Sequence, residues 1–329
     1  MKVFEIQPGS TTLEGIQPGE RDKPTPGPRE VLVRMRAASL NYRDLAVATG
    51  NYFGGVVTRH LIPLSDGAGE IEAIGEGVTT LAVGDKVAGT FSSGNPPAPL
   101  GSPLDGVLTE YRVFPEDGVV KYPGHLSFEE ASTFPCAGVT AWNALTTTKV
   151  LKPGETVLLL GTGGVSIWAL QIAKAAGARV IITSSSDEKL ARAKELGADD
   201  LINYKKTPAW HEEVMKVTGG YGADHIVEVG GVGTLPNSYQ SVAPGGEIAL
   251  IGVLTQTAGD LSPHPMMLKG ATLRGIFVGS RDLLVGLCRA VDVNKIHPVV
   301  DSVFPFEKSL DAFKHLQSGK HFGKVVIKI

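Results

Sequence analysis

Cysteine is scarce: Cys136 and Cys288 are the only two among 329 residues. Two thiols exclude a disulfide framework and a four-cysteine structural zinc site, and they fit a reducing compartment. None of the eight histidines stands in an H-x-H or H-x-x-x-H spacing, so no pair is set on one face of a strand or helix to grip a metal. No charge of either sign dominates. With a net charge of −3, nothing in the balance points to nucleic acid or an anionic membrane surface as partner. No apolar run approaches about 18 residues, the length a membrane helix needs. The opening MKVFEIQPGS reads as a short strand and turn rather than a secretory leader, so the expected location is the cytoplasm.

What is present is ordinary for a globular chain, 42% hydrophobic and 20% charged, and its length suggests two domains. Residues 1–124 alternate short β-type runs (VLVRMRAAS, GEIEAIG, DKVAGTF, LTEYRVF) with turn chemistry such as PTPGP, GEG and VGD. That spacing predicts an irregular β-barrel rather than βαβ units. Residues 90–107 carry so much Gly, Pro and Ser that a surface loop is expected. From residue 125 the pattern changes. Ser127 is placed to cap a helix with acids in its first turn. Six apolar strands (TVLLLG, RVIITS, DLINY, HIVEVG, EIALIGV, TLRGIFVG) then alternate with helical stretches, the pattern of a doubly wound parallel sheet in an α/β domain. The tail forms a helix and a last strand, KVVIKI, expected to rejoin the first block. The expected domains are therefore 1–124 with 280–329, and 125–279.

Residues 156–183 are the most informative. A buried strand runs into Gly161-Thr162-Gly163-Gly164-Val165-Ser166, which opens an amphipathic helix followed by a second strand. Glycines there permit a tight turn and let the backbone approach a pyrophosphate, while the helix N-terminus offers N–H groups and a positive dipole end. Ser166 stands where G-x-G-x-x-G has its third glycine. At the end of the second strand an NAD site places an acid for the ribose hydroxyls. Here that place reads Thr183-Ser184-Ser185-Ser186. With no carboxylate to repel a 2′-phosphate, and with Ser184, Ser185 and Lys189 able to bind one, NADP(H) is the expected cofactor. The plainer alternative is that these serines only cap the next helix.

Taken in order, these segments resemble the medium-chain dehydrogenase/reductase superfamily along essentially the whole chain. GEIEAIGEGV with VGDKV (69–87), AGVTAWNAL (137–145) and the closing HFGKVVIKI all look like segments of that family, and the first block resembles its GroES-like catalytic domain. The zinc-free branches similar to quinone oxidoreductases and alcohol dehydrogenases look nearest. The resemblance implies cofactor contacts at Asn41, Thr140, the 161–166 loop (Gly161, Thr162, Gly163, Gly164, Val165), Ser184, Ser185, Lys189, Tyr204, Gly230, Val253, Val278 and Lys324. It also locates the catalytic-zinc positions of metal-dependent relatives, which here carry Asn41, Ser65 and Cys136. An amide and a serine hydroxyl are poor zinc ligands, so no metal is expected, and Cys136 reads as a small buried residue.

A reductase without zinc must stabilise charge on the substrate oxygen with hydrogen-bond donors or a proton donor. By resemblance to enone-reducing relatives, Tyr52 is that donor and Asn41 orients the nicotinamide ribose. The alternatives are Tyr52 packing at a barrel rim and Arg43 with Asp44 forming a surface ion pair. Activated alkenes delocalise the incoming charge and need less electrophilic help, so a quinone or α,β-unsaturated carbonyl is the expected substrate. A zinc-free alcohol dehydrogenase or carbonyl reductase, and a non-catalytic NADPH-binding protein, remain alternatives. The apolar strand at 272–279, expected at the sheet edge, implies a homodimer.

Overall fold

The computed structural model describes residues 1–94, 97–255 and 261–329, which divide into two compact units, Met1–Val139 with Ser280–Ile329, and Thr140–Gly279. The first break falls after Val139, not at residue 124. The intervening helix Phe128–Ala131, capped by a reciprocal Ser127–Glu130 box, and the turn Phe134–Gly138 pack on the barrel strands and so belong to the first unit.

In that unit a seven-stranded sheet runs Val300–Pro305, Lys324–Lys328, Glu30–Ser39, Asp66–Ile74, Lys86–Gly89 and Val119–Lys121, with Tyr111–Pro115 pairing back on Glu30–Ser39. The closing KVVIKI strand enters this sheet antiparallel to Glu30–Ser39, with Val326 opposite Ser39. The core beneath includes Ile6, Val33, Leu64, Ile71, Phe114 and Phe313. The Gly- and Pro-rich 90–107 segment is not the surface loop its composition suggests. It holds the short pair Ser92–Ser93 and Ala98–Pro99, and Phe91, Leu100 and Val107 are buried. Gly101, at φ +74°, lies so near the Leu64 backbone that a Cβ would sit 2.8 Å from its nitrogen. Positions 95 and 96 lie outside the described residues.

The second unit is a six-stranded, wholly parallel sheet in the order Asp200–Asn203, Arg179–Ser184, Thr156–Leu159, Ala223–Glu228, Val242–Leu250, Thr272–Gly275. The strand Thr156–Leu159 reads as an almost unbroken apolar run, as a strand covered on both faces does, and Leu158, Ile181, Ile226 and Ile248 are fully buried. Truncating any one of them to Ala should cost about 2–5 kcal/mol. The strand order reverses at Thr156–Leu159, from which the chain winds first one way and then the other. Such a switch point opens a ligand crevice at the carboxyl ends of the strands on either side. Among the described residues no helix is long and apolar enough to cross a membrane.

Candidate cofactor and catalytic site

At the switch point the strand Thr156–Leu159 gives way to the glycine loop, then to the helix Gly164–Ala175. Gly161 adopts φ +73°, a conformation that favours glycine, and its N–H donates to Thr183 Oγ1 at 3.2 Å. Gly163 caps the helix without a side chain, so none of its first N–H groups is taken by a cap. A Cβ at Gly161 or Gly163 would meet nothing within 4 Å, so open space lies over the loop. Ser166, where a third glycine is usual, is buried and donates to Leu160 O at 2.7 Å, tying helix to strand. Thr162 is buried, while Gly164 and Val165 are half-buried in the first turn. Free N–H groups at a helix start beneath open space suit a pyrophosphate.

Beside the loop, Ser184 ends its strand with its hydroxyl 3.5 Å from that of Thr162. The cap of the next helix is Ser186, which accepts from the Lys189 N–H at 3.3 Å, and Ser185 is half-buried beside it. The first acid, Asp187, is already engaged. Its carboxylate accepts from Lys206 at 2.5 Å and Asn203 at 2.7 Å, and these bonds hold its pKa below the usual carboxylate range. Tyr204, half-exposed, donates its N–H to Ser184 O at 3.1 Å.

Across the switch point the organiser is Glu228, a residue without a role in the sequence reading. Fully buried at the end of Ala223–Glu228, its carboxylate accepts from the N–H groups of Gly230 (2.8 Å) and Gly231 (3.0 Å) and the hydroxyls of Thr234 (2.6 Å) and Ser238 (2.5 Å). That set fixes the loop carrying Gly230. Gly252 presses on it so closely that a Cβ would lie 1.7 Å from Val229 O, and Thr255 donates to Gly230 O at 2.8 Å. Val253 between them is 67% exposed. Val278 holds φ +56°, costly for a β-branched residue, and its carbonyl accepts from Asn143 Nδ2 at 2.7 Å. Asn143 in turn takes Arg274 on Oδ1 and its own carbonyl. Thr140 is buried in the same helix. The signal for Glu228 was an acid ending an apolar strand just before Gly-Gly-x-x-Thr.

The first unit gathers Asn41, Arg43, Asp44, Tyr52, Ser65, Asp66, Cys136 and Lys324. Lys324, expected to contact cofactor, is 3% exposed, and its ammonium donates to Leu40 O and Asn41 Oδ1, both at 2.6 Å, with Asp66 at 3.9 Å. It is the residue that holds Asn41. Asn41 Nδ2 is buried with no hydrogen-bond partner among the described residues. Asp66 is fully buried and accepts from the Ser65 hydroxyl at 2.6 Å and the Cys136 N–H at 3.1 Å. Cys136 is only partly buried as a residue, yet desolvation, with Asp66 adding to it, pushes its thiol well up, which keeps it protonated.

Arg43 and Asp44 form no surface pair. Their side chains are 8% and 1% exposed and meet at 3.3 Å. Asp44 also accepts from the Asn41 N–H at 2.7 Å, yet burial raises its pKa to about 6. Arg43 Nε donates to Tyr52 Oη at 3.4 Å, and its guanidinium lies over the Tyr52 ring, 4.9 Å from the centroid. Tyr52 packs against the edge of the core, and among the described residues its hydroxyl oxygen accepts from Arg43.

Comparison with known proteins places the whole arrangement. Residues 27–124 match the family model described as the alcohol dehydrogenase GroES-like domain, and residues 164–291 the one described as zinc-binding dehydrogenase. A zinc-type alcohol dehydrogenase-like protein of Schizosaccharomyces pombe is 46% identical over 333 residues, covering 96% of each chain. A quinone oxidoreductase of Sus scrofa is 28% identical over 92% of this chain and 90% of its own. Among solved structures, an NAD-dependent alcohol dehydrogenase matches the whole of both chains with TM-score 0.92 at 33% identity. A mycobacterial protein complexed with NADPH does so with 0.84 at 26%. The chain belongs to the medium-chain dehydrogenase/reductase superfamily, an NAD(P)-dependent oxidoreductase family with a GroES-like and a Rossmann-type domain.

The family description names zinc, and the donors here do not suit it. Asn41 Oδ1 already accepts from the Lys324 ammonium and the Ser65 hydroxyl donates to Asp66, so two of the three positions carry an amide and an alcohol, both poor zinc ligands. Among the described residues no three His, Cys, Asp or Glu side chains come together as a metal site.

Proposed function

We propose that this protein is a zinc-independent NADPH-dependent reductase of quinones or α,β-unsaturated carbonyls, with Tyr52 as donor to the substrate oxygen. The observation that carries this reading is the state of the Tyr52 hydroxyl: its oxygen accepts from Arg43, so its own hydrogen is left for a ligand. The poor fit of Asn41, Ser65 and Cys136 to zinc supports a donor-based site over a Lewis-acid one. Asn41 Nδ2, fixed by Lys324 and lacking a partner, suits the nicotinamide ribose. Beside Tyr52 the Phe53 ring is 82% exposed, with ring centroids 4.9 Å apart, an apolar surface suited to a planar acceptor. NADPH over NADH is supported by Ser184 where an acid would otherwise read the ribose, and by the pairing of Asp187, the first acid beyond it, with Lys206.

When bound, the reduced nicotinamide supplies hydride. The chain's residues bind the phosphates at 161–164, orient the ribose through Asn41 and hold a proton at Tyr52 Oη. A carbonyl or alcohol substrate is the second reading, favoured by the alcohol dehydrogenase-like relatives above. NADPH oxidation against quinones, enones, aldehydes and ketones, before and after chelation, separates the two. We expect quinones and enones to turn over fastest and chelation to change nothing. Tyr52→Phe should keep NADPH affinity and lower kcat by roughly tenfold to a thousandfold. One tightly held zinc per chain, or an unchanged kcat in Tyr52→Phe, would sink the proposal.

A further inference from the structure

We infer that Arg43 is the positioning residue for the Tyr52 donor, holding the phenol in place and stabilising the charge left on its oxygen as the proton departs. The inference rests on the reading of Tyr52 given above. With NADPH bound, the cofactor would supply the hydride and leave as NADP⁺, and Tyr52 would supply the proton, its O–H bond breaking to leave a phenolate that solvent reprotonates. A cation at the phenol oxygen is worth most at the moment that charge forms.

Arg43 is built for this. It sits in the first turn of the helix Tyr42–Ala48, nine residues before Tyr52, and its side chain is 8% exposed. Three groups clamp the guanidinium: Leu100 O at 2.9 Å, Ser102 O at 3.2 Å and Asp44 Oδ1 at 3.3 Å. Two rings lie against it, with centroids at 4.9 Å for Tyr52 and 5.0 Å for Phe91. The remaining Nε–H points to Tyr52 Oη at 3.4 Å, long for a resting bond and of the kind that tightens as the acceptor gains charge. Asp44, 3.3 Å from the guanidinium, balances the buried cation, so the pair carries little net charge in the core. A purely structural arginine, tying the helix to the 100–102 segment, would need the carbonyls and Asp44 but not the phenol oxygen. Lysine could keep the charge but not the planar fork that reaches all four partners.

The test is a double-mutant cycle on kcat, with the KM for NADPH followed alongside. Arg43→Met should lower kcat about tenfold to a hundredfold while Tyr52 is present, the scale of a hydrogen bond to a charged group. In a Tyr52→Phe background the same change should cost less than about twofold. The KM for NADPH should stay within about twofold throughout, and Arg43→Lys should recover part of the loss. If Arg43→Met does not fold because Asp44 is left unpaired, Arg43→Met/Asp44→Asn against Asp44→Asn alone runs the same cycle. An equal loss in both backgrounds, or no loss in either, overturns the role of Arg43. Should Tyr52→Phe itself leave kcat unchanged, the donor reading fails first and this inference falls with it.

Discussion

The ammonium of Lys324, in the last strand of the chain, donates to the carboxamide oxygen of Asn41 at 2.6 Å across 283 positions of sequence. That bond sets the amide's orientation, turning Oδ1 inward and leaving Nδ2 as the unpartnered donor. Lys324 also lies 3.9 Å from the fully buried Asp66. Lys324→Met should therefore do two things. It should destabilise the fold by about 1–3 kcal/mol, because Asp66 loses its cation and Leu40 O its donor. It should also weaken NADPH, since Asn41 is free to turn. Thermal denaturation with NADPH titration by fluorescence checks both. A lowered melting temperature with unchanged NADPH affinity would confine Lys324 to the core.

On the proposed reading, cofactor choice would turn on Ser184, whose hydroxyl stands 3.5 Å from that of Thr162 in the glycine loop and which is 2% exposed as a residue. Ser184→Asp would set a carboxylate against the 2′-phosphate in a place water hardly reaches. We expect NADPH to bind about tenfold to a hundredfold more weakly and NADH at least as well as before. Comparative Michaelis constants measure this. A wild-type enzyme that prefers NADH would show that the serines merely end the strand and begin the helix.

The contrast between what the sequence makes plain and what it hides has a physical pattern. The parallel sheet is legible because strands buried on both faces are dominated by apolar residues, as in Val157–Leu158–Leu159. The glycine loop is legible because only glycine serves at Gly161, and the Ser127 cap because its box is local in sequence. Arg43 and Asp44 are different. Leu100, Ser102 and Phe91 help bury them, and these lie in or beside a Gly-, Pro- and Ser-rich stretch that reads as surface. Composition reports the backbone chemistry of such a loop, not what it covers. The same holds for the domain boundary, since helices near residue 130 carry the amphipathic signature of either neighbour. Glu228 was hidden, and Lys324 was named only through the resemblance and not as the partner of Asn41, because a buried charge declares itself only through partners distant in sequence.

Among the described residues Thr272–Gly275 is the last strand in its sheet, and Leu273 on it is 40% exposed. We propose that a second copy of the chain pairs there, covering backbone groups and apolar side chains that an isolated edge leaves open. Light scattering at micromolar concentration should give a dimer mass, and Leu273→Lys should shift it toward monomer by setting like charges together at the contact. A wild-type monomer would mean that the short strand, four residues long, is too small an edge to recruit a partner.

Asp44 offers a test in pH. Burial raises its pKa from an ordinary 3.8 to about 6 despite Arg43 beside it. The folded chain therefore holds this proton over a range in which the unfolded chain has released it. Below about pH 4 both states are protonated and the stabilising contribution is complete. As pH rises toward 6 the unfolded state ionises first, and stability falls by at most about 3 kcal/mol before levelling off once the folded carboxyl has also ionised. Asp44→Asn removes the titration and keeps a side-chain oxygen for the Asn41 N–H. Urea unfolding of both proteins from pH 4 to 8 should show wild type losing ground to Asp44→Asn up to about pH 6 and running parallel above it. A wild type that instead gains stability relative to the variant across that window would mean that Arg43 outweighs burial and that Asp44 is ionised throughout.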